Sequence, residues 1–328
     1  MKQNNPAKAL RAFKVGFIKG LTTGGRLLCV MLPIYLVVVF LTYTPVIAFL
    51  QERLAPVMRV FSLPGDAAIP IVTGFFSDEY GVVAAMSGFN FGAAQITTIA
   101  MIILCFHSIP LEAAVGRQIG FNPAKYTVYR FVMAIVTGVL VGWLTGLLYG
   151  GADSLPTALA PSGSAAETLS VFAWAPGDPG ANPWIVMGSE MLRGSLSVVL
   201  SLARVIVPLM IVIEFLLAYK LVERFTAKLG WLRRILGISK DALLPLLIGL
   251  LMGVTYGAGT LMEINKRTPL STRDFTLIGV FLYACHGIIE TSILFAVAGG
   301  NVFFICIVRL AIALLVTFVA ARLPRFAK

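Results

Sequence analysis

Long apolar runs alternate with short polar turns along most of this chain. Residues 27–50, 131–149, 275–298 and 302–321 are each close to the roughly 20 mostly apolar residues that cross a bilayer as a helix. Ahead of the first run, Lys8, Arg11 and Lys14 alternate with Leu10, Phe13 and Phe17. That spacing predicts an amphipathic helix on the membrane surface over residues 1–25. The segment lacks an unbroken apolar stretch and a small-residue cleavage site, so it is not read as a signal peptide.

The pattern is written twice. The interval from Pro33 to Pro70 recurs from Pro208 to Pro245, and that from His107 to Arg130 recurs from His286 to Arg309. "VMRVFSLPGDAAIPIVTG" (57–74) aligns with "LRRILGISKDALLPLLIG" (232–249), pairing Arg59 with Arg234, Asp66 with Asp241 and Gly74 with Gly249. "GFN" at 120–122 aligns with "GGN" at 299–301. Matches in order at equal spacing indicate a duplication.

Each copy holds four apolar segments: 27–50, 66–88, 90–109 and 123–149, then 204–221, 241–264, 273–295 and 302–321. The second is interrupted in both copies, by Ser77, Asp78 and Glu79 in one and by four glycines with Thr255 and Tyr256 in the other. Polar residues and glycines at mid-membrane suit a hairpin that enters and leaves on one side. Three crossings per copy make the copies inverted. The fold expected is therefore all-α and polytopic: two inverted-topology repeats, each with three transmembrane helices and one re-entrant helical hairpin, behind an N-terminal surface helix. The organisation expected is 1–25 interfacial helix, 26–149 first repeat, 150–202 extracytoplasmic linker with lead-in helix, and 203–328 second repeat.

Composition agrees. Of 328 residues, 58% are hydrophobic and 12% charged, and the mean hydropathy is +0.90; soluble domains carry roughly 25% charged residues. The net charge of +11 does not signal nucleic acid, because Lys and Arg cluster at the ends of apolar runs, where they set orientation. With both termini in the cytoplasm, all 26 Lys and Arg except Arg53, Arg59, Arg193, Arg204 and Arg309 lie inside. The stretch 150–183 has none and suits the outside. These features predict a multi-pass protein of the cytoplasmic membrane. Cys29, Cys105, Cys285 and Cys306 have neither disulfide-framework nor zinc-knuckle spacing and are read as free thiols.

Ionisable residues inside a membrane usually mark ion or substrate paths. In "ACHGIIET" (284–291), His286 and Glu290 are four residues apart, on one face of a continuous helix. The substrate-binding candidates are Ser77, Asp78, Glu79, Asn90, Gln95, Thr98, Thr255, Tyr256, His286, Glu290 and Thr291. Thr97 and Glu263 lie in the same segments. The bland readings are wet loop tips for Asp78 and Glu79, helix packing for Gln95, Thr97 and Thr98, and a structural hydrogen bond for His286 and Glu290. Arg130 and Arg309 read as snorkelling or structural cations. An alternative metal site draws on Cys105, His107, Cys285 and His286, since thiolate and imidazole select transition metals. No nucleotide-hydrolysing loop, zinc-protease motif or nucleophile elbow is present in the sequence, and no catalytic residue is assigned.

The duplicated P-x-x-x-G segment, the broken hairpin and the helix with "HGIIET" together resemble the nucleoside-recognition, or gate, family. That family includes the gate domains of concentrative nucleoside transporters, the membrane part of ferrous-iron permeases and the spore-maturation membrane proteins. The resemblance spans residues 26–149 and 203–321. It implies a hairpin-based transport core with inverted halves, in which Glu290 and Thr291 meet a tip at Thr255 and Tyr256. The leading expectation is a secondary permease for a small polar solute, nucleoside-like or other, with no cofactor beyond Na+ or H+ as coupling ion. Its partners would be the small-molecule substrate, lipid and, in a homo-oligomer, further copies. The alternatives are a transition-metal permease of ferrous-iron type and a non-transporting membrane scaffold.

Overall fold

Apolar segments without strand periodicity fold as helices joined by short breaks. The computed structural model describes residues 6–87, 89–118, 121–149, 183–267 and 269–323, and the described residues contain no strand. The first half holds α1 (Pro6–Thr42), α2 (Pro45–Arg59), α3 (Ala68–Phe76), α4 (Glu79–Met86), α5 (Ala93–Cys105), α6 (Ile109–Gln118) and α7 (Pro123–Tyr149). The second holds α8 (Pro183–Ala218), α9 (Leu221–Lys228), α10 (Gly230–Leu236), α11 (Lys240–Met252), α12 (Val254–Arg267), α13 (Thr272–Ala284), α14 (Ile288–Val297) and α15 (Arg309–Ala320). Most of the linker expected at 150–202 lies outside the described residues, and α8 begins within it.

Three described segments are long and apolar enough to cross a membrane: Ala93–Ala114, Pro123–Leu148 and Thr272–Val297. A fourth is added if α10 and α11, which meet at 94°, count as one span. The run at 27–50 is not one helix. Thr44 precedes a proline and takes an extended conformation (φ −118°, ψ 157°), ending α1, and Pro45 opens α2. The run at 302–321 contains a π-helical turn, Phe304–Val308, directly before Arg309.

The basic N-terminal segment and the first apolar run form one continuous helix, so the boundary expected at residue 25 falls inside α1. Helix α1 packs antiparallel to α8. A Cβ on Gly16 would lie 2.6 Å from Ile211 Cα and one on Gly20 would lie 2.8 Å from Val207 Cα, while further along Gly194 meets Tyr35. Only glycine lets the two backbones approach this closely. Lys19 Nζ donates to Glu214 Oε2 at 2.7 Å on the same seam.

The centre is built from the helix breaks. Between α3 and α4, Asp78 caps α4 by accepting from Gly81 N at 2.9 Å. Between α11 and α12 stands Gly253, at φ +100°. The continuous helix expected through His286 and Glu290 is interrupted, and so is its counterpart in the first half. Helix α5 gives way to α6 at Phe106–Ser108, and α13 to α14 at Cys285–Gly287. Phe106 and Cys285 leave the helical conformation at the ends of α5 and α13, and Ser108 (φ +46°) and Gly287 (φ +59°) are left-handed directly before α6 and α14. Their amides make the same bond in each half: Ser108 N donates to Gly74 O at 3.0 Å, and Gly287 N to Gly249 O at 3.1 Å. Segment 93–114 is enclosed by the other helices, whereas α7 turns Val132, Val136, Trp143 and Leu147 outward, as a lipid-facing helix would.

Candidate functional site

Both buried histidines sit in the breaks after α5 and α13. The Nδ1 of His107 lies 2.8 Å from Ile103 O, and that of His286 lies 2.7 Å from Leu282 O. A carbonyl oxygen can only accept, so each Nδ1 carries the proton and each Nε2 of a neutral ring turns a lone pair inward. The two rings stand 5.4 Å apart, centroid to centroid.

Carboxylates face those lone pairs. Glu112 Oε1 lies 3.1 Å from His107 Nε2 and 3.6 Å from His286 Nε2. Glu79 Oε2 lies 3.3 Å from His107 Nε2. His107, Glu112 and His286 are all buried, while Glu79 is half-buried. Neutral imidazole and ionised carboxylate are both acceptors at these atoms, so the cluster needs a proton or a metal cation between them.

Two arginines hold the frame. Arg130 Nε donates to Cys105 O at 2.9 Å and its Nη2 to His107 O at 2.8 Å. Arg309 repeats this on the second break, with Nε donating to Ala284 O at 3.2 Å and Nη2 to His286 O at 3.1 Å. The third contact differs: Arg130 Nη1 pairs with Glu112 Oε2 at 3.2 Å, whereas Arg309 Nη1 donates to Thr291 Oγ1 at 3.1 Å. Neither arginine snorkels; both are buried and satisfy main-chain oxygens that the breaks leave open.

The expected candidates separate into groups. Glu79 and His286 join the cluster; His107, expected only for a metal, is at its heart; Glu112, absent from the expectation, links both imidazoles. The expected pairing of His286 with Glu290 on one helix face does not form, because the break at Gly287 turns them apart. Glu290, half-buried, instead accepts a hydrogen bond from Tyr80 Oη. Ser77 O accepts from Ser108 N and Oγ at 2.9 and 3.0 Å, and Asp78 serves as the α4 cap. Gln95 Oε1 accepts from Gly92 N at 2.9 Å, Thr98 donates to Ala94 O at 3.0 Å, and Asn90 is exposed. Thr97 Oγ1 donates to Ala93 O at 2.6 Å and accepts from Asn301 N at 2.7 Å, joining the two halves. Thr291 Oγ1 also donates to Gly287 O at 3.0 Å.

The side chains of Thr255, Tyr256 and Glu263 lie outside the described residues, although their backbone belongs to α12. The thiols of the metal alternative stand away from the cluster's inward face. Cys105 Sγ donates toward Ala284 O at 4.0 Å and accepts from Thr137 Oγ1 at 3.7 Å. The buried group with metal-ligand spacing among the described residues is His107, Glu112 and His286, with no cysteine in it.

A polytopic helical membrane protein with a buried acid–imidazole centre is the class defined so far. The chain belongs to the Gate family, described as nucleoside recognition, which matches residues 25–122 and 199–321. It is also similar to the uncharacterized membrane protein YvoD of Bacillus subtilis strain 168: 28% identical over 311 residues, covering 95% of this chain and 94% of that protein. No solved structure matches.

Proposed function

We propose that this chain is a cation-coupled permease of the cytoplasmic membrane that moves a small polar solute by alternating access. The observation that carries the reading is the convergence of His107, His286, Glu112 and Glu79 where breaks from both halves meet. A buried ionisable cluster is costly to desolvate, and in membrane proteins such groups usually line a pathway. Asp78, Glu79 and Glu290, all half-buried, supply further carboxylates at the same helix breaks.

The architecture proposed with it is two inverted halves with re-entrant hairpins, one at α3–α4 and one at α11–α12. Close packing of Gly249 on Gly257 supports the second hairpin, where a Cβ on Gly249 would lie 3.3 Å from Gly257 Cα. Matched bonds at Ser108 and Gly287 support the equivalence of the halves. Binding at discontinuous helices between repeats is the plan of many secondary transporters. The distribution of Lys and Arg favours cytoplasmic termini.

The test is a thermal-shift panel of polar solutes on the purified chain, headed by nucleosides because of the family's description, followed by uptake in proteoliposomes. A ligand that binds the folded state raises its melting temperature. The expected result is a shift with one solute class and gradient-driven uptake of the same class. No shift and no uptake across the panel, with a stably co-purifying membrane protein, would replace the permease with the scaffold.

A further inference from the structure

We propose that His107, His286 and Glu112, with Glu79 beside them, form a binding site for a divalent first-row transition cation. The proposal deepens the reading of this centre as cation-holding.

Geometry is the first argument. Zinc-like ions bind imidazole nitrogen and carboxylate oxygen at about 2.0–2.2 Å, which at tetrahedral angles sets ligand atoms about 3.4 Å apart. Glu112 Oε1 stands 3.1 Å from one imidazole nitrogen and 3.6 Å from the other, and Glu79 Oε2 stands 3.3 Å from the first. Three buried ligands with a fourth carboxylate at the half-buried edge give a site whose least enclosed side is at Glu79.

The surrounding hydrogen bonds are the second, independent argument. Metal-ligating histidines donate from their other ring nitrogen to a carbonyl or carboxylate, which fixes the tautomer and aims the lone pair. Both rings do so here, through Ile103 O and Leu282 O. Glu112 is likewise oriented, by Arg130 at 3.2 Å from its second oxygen.

Charge is the third. One shared proton relieves one of the three acceptor–acceptor contacts, whereas one divalent cation relieves all three, with Arg130 already paired to the other oxygen of Glu112. Two imidazole nitrogens favour a transition cation over Na+, Mg2+ or Ca2+, which prefer oxygen.

The experiment uses the full chain in detergent, without a polyhistidine tag, stripped with chelator and titrated with Co2+. The expected result is one equivalent bound, with the intense visible bands of a tetrahedral site, displaced by Zn2+ and unaffected by excess Mg2+. His286→Asn and the double variant His107→Gln/His286→Asn lose the bands, while Cys105→Ser and Cys285→Ser keep them. Size-exclusion profiles establish that the variants fold. Should a variant not fold, protection of the native histidines from diethylpyrocarbonate by Zn2+ gives the same answer on the unmodified chain. Absence of saturable Co2+ binding in the native chain, or binding that survives loss of both histidines, overturns the proposal. Loss of binding in the cysteine variants overturns it too, by moving the site onto the thiols. Where Co2+ binding fails, solute uptake driven by a proton or sodium gradient in metal-free proteoliposomes keeps the permease standing while the metal site falls.

Discussion

Arg309 donates from Nη2 to the main-chain oxygen of Leu104 at 3.1 Å, reaching from the last helix of the second half into the first. The same guanidinium serves Ala284 O, His286 O and Thr291 Oγ1. It therefore closes the break after α13 and ties that break to α5.

Removing it leaves several buried carbonyls without a donor, each costing about 1–3 kcal/mol. Arg309→Ala should destabilise the protein by about 3 kcal/mol or more. Arg309→Lys should recover only part, since one ammonium cannot replace a planar fork with this many donors. Thermal melting in detergent checks this, with exposed Arg193→Ala as the near-neutral comparison. Equal melting temperatures for the three variants would refute the structural role.

Glu290 and Tyr80 join the two halves through one hydrogen bond at the half-buried edge of the centre. In the permease reading, Glu290→Gln abolishes uptake in proteoliposomes while the protein remains folded, because the amide keeps the shape and loses the charge. Tyr80→Phe lowers uptake less, by about tenfold, the value of one hydrogen bond to a charged group of about 1.5 kcal/mol. Unchanged uptake in Glu290→Gln removes Glu290 from the pathway.

Gly257 packs on the backbone of Gly249: a Cβ there would lie 2.7 Å from Gly249 Cα, with no flexible side chain to yield. Gly257→Ala should force α11 and α12 apart and cost about 1–3 kcal/mol. Gly188→Ala, in α8 with nothing within 4 Å of the added carbon, should instead raise stability by about 0.5–1 kcal/mol. Differential scanning fluorimetry of the pair reads both signs. A neutral Gly257→Ala would mean that α11 and α12 do not pack closely there.

In the proposed inverted arrangement, equivalent residues would lie on opposite faces of the membrane. Arg59 and Arg234, both exposed, are such a pair. In a chain with its four native cysteines replaced, Arg59→Cys should react with an impermeant maleimide added outside, and Arg234→Cys only after the membrane is opened. Labelling of both from the same side would make the halves parallel.

The candidate site was partly readable from the chain. His286 was conspicuous because an imidazole stands in an apolar run, and Glu79 because a carboxylate interrupts one. Glu112 was not conspicuous: it sits in a charged stretch after a span, where an acid needs no explanation. Its role arises from the turn at Ser108, which swings α6 so that its carboxylate reaches both imidazoles. Helical spacing misled at His286 and Glu290, because spacing presumes a continuous helix, whereas α13 stops at Ala284 and Gly287, at φ +59°, starts a new one. A sequence signal was nonetheless there: Gly287 directly follows His286, and equal His-to-Arg intervals in both copies marked the frame that holds the break.

What the sequence determined by itself was the solvent and the plan. Apolar content and run length demand a membrane, and repeated intervals point to a duplicated helical unit, because both can be read along the chain without knowing its contacts. What only the tertiary structure decided was which charges meet. Glu112 and His286 are distant in sequence and become neighbours only when breaks in two halves are packed together. Desolvation then makes that contact decisive, and no local pattern encodes it.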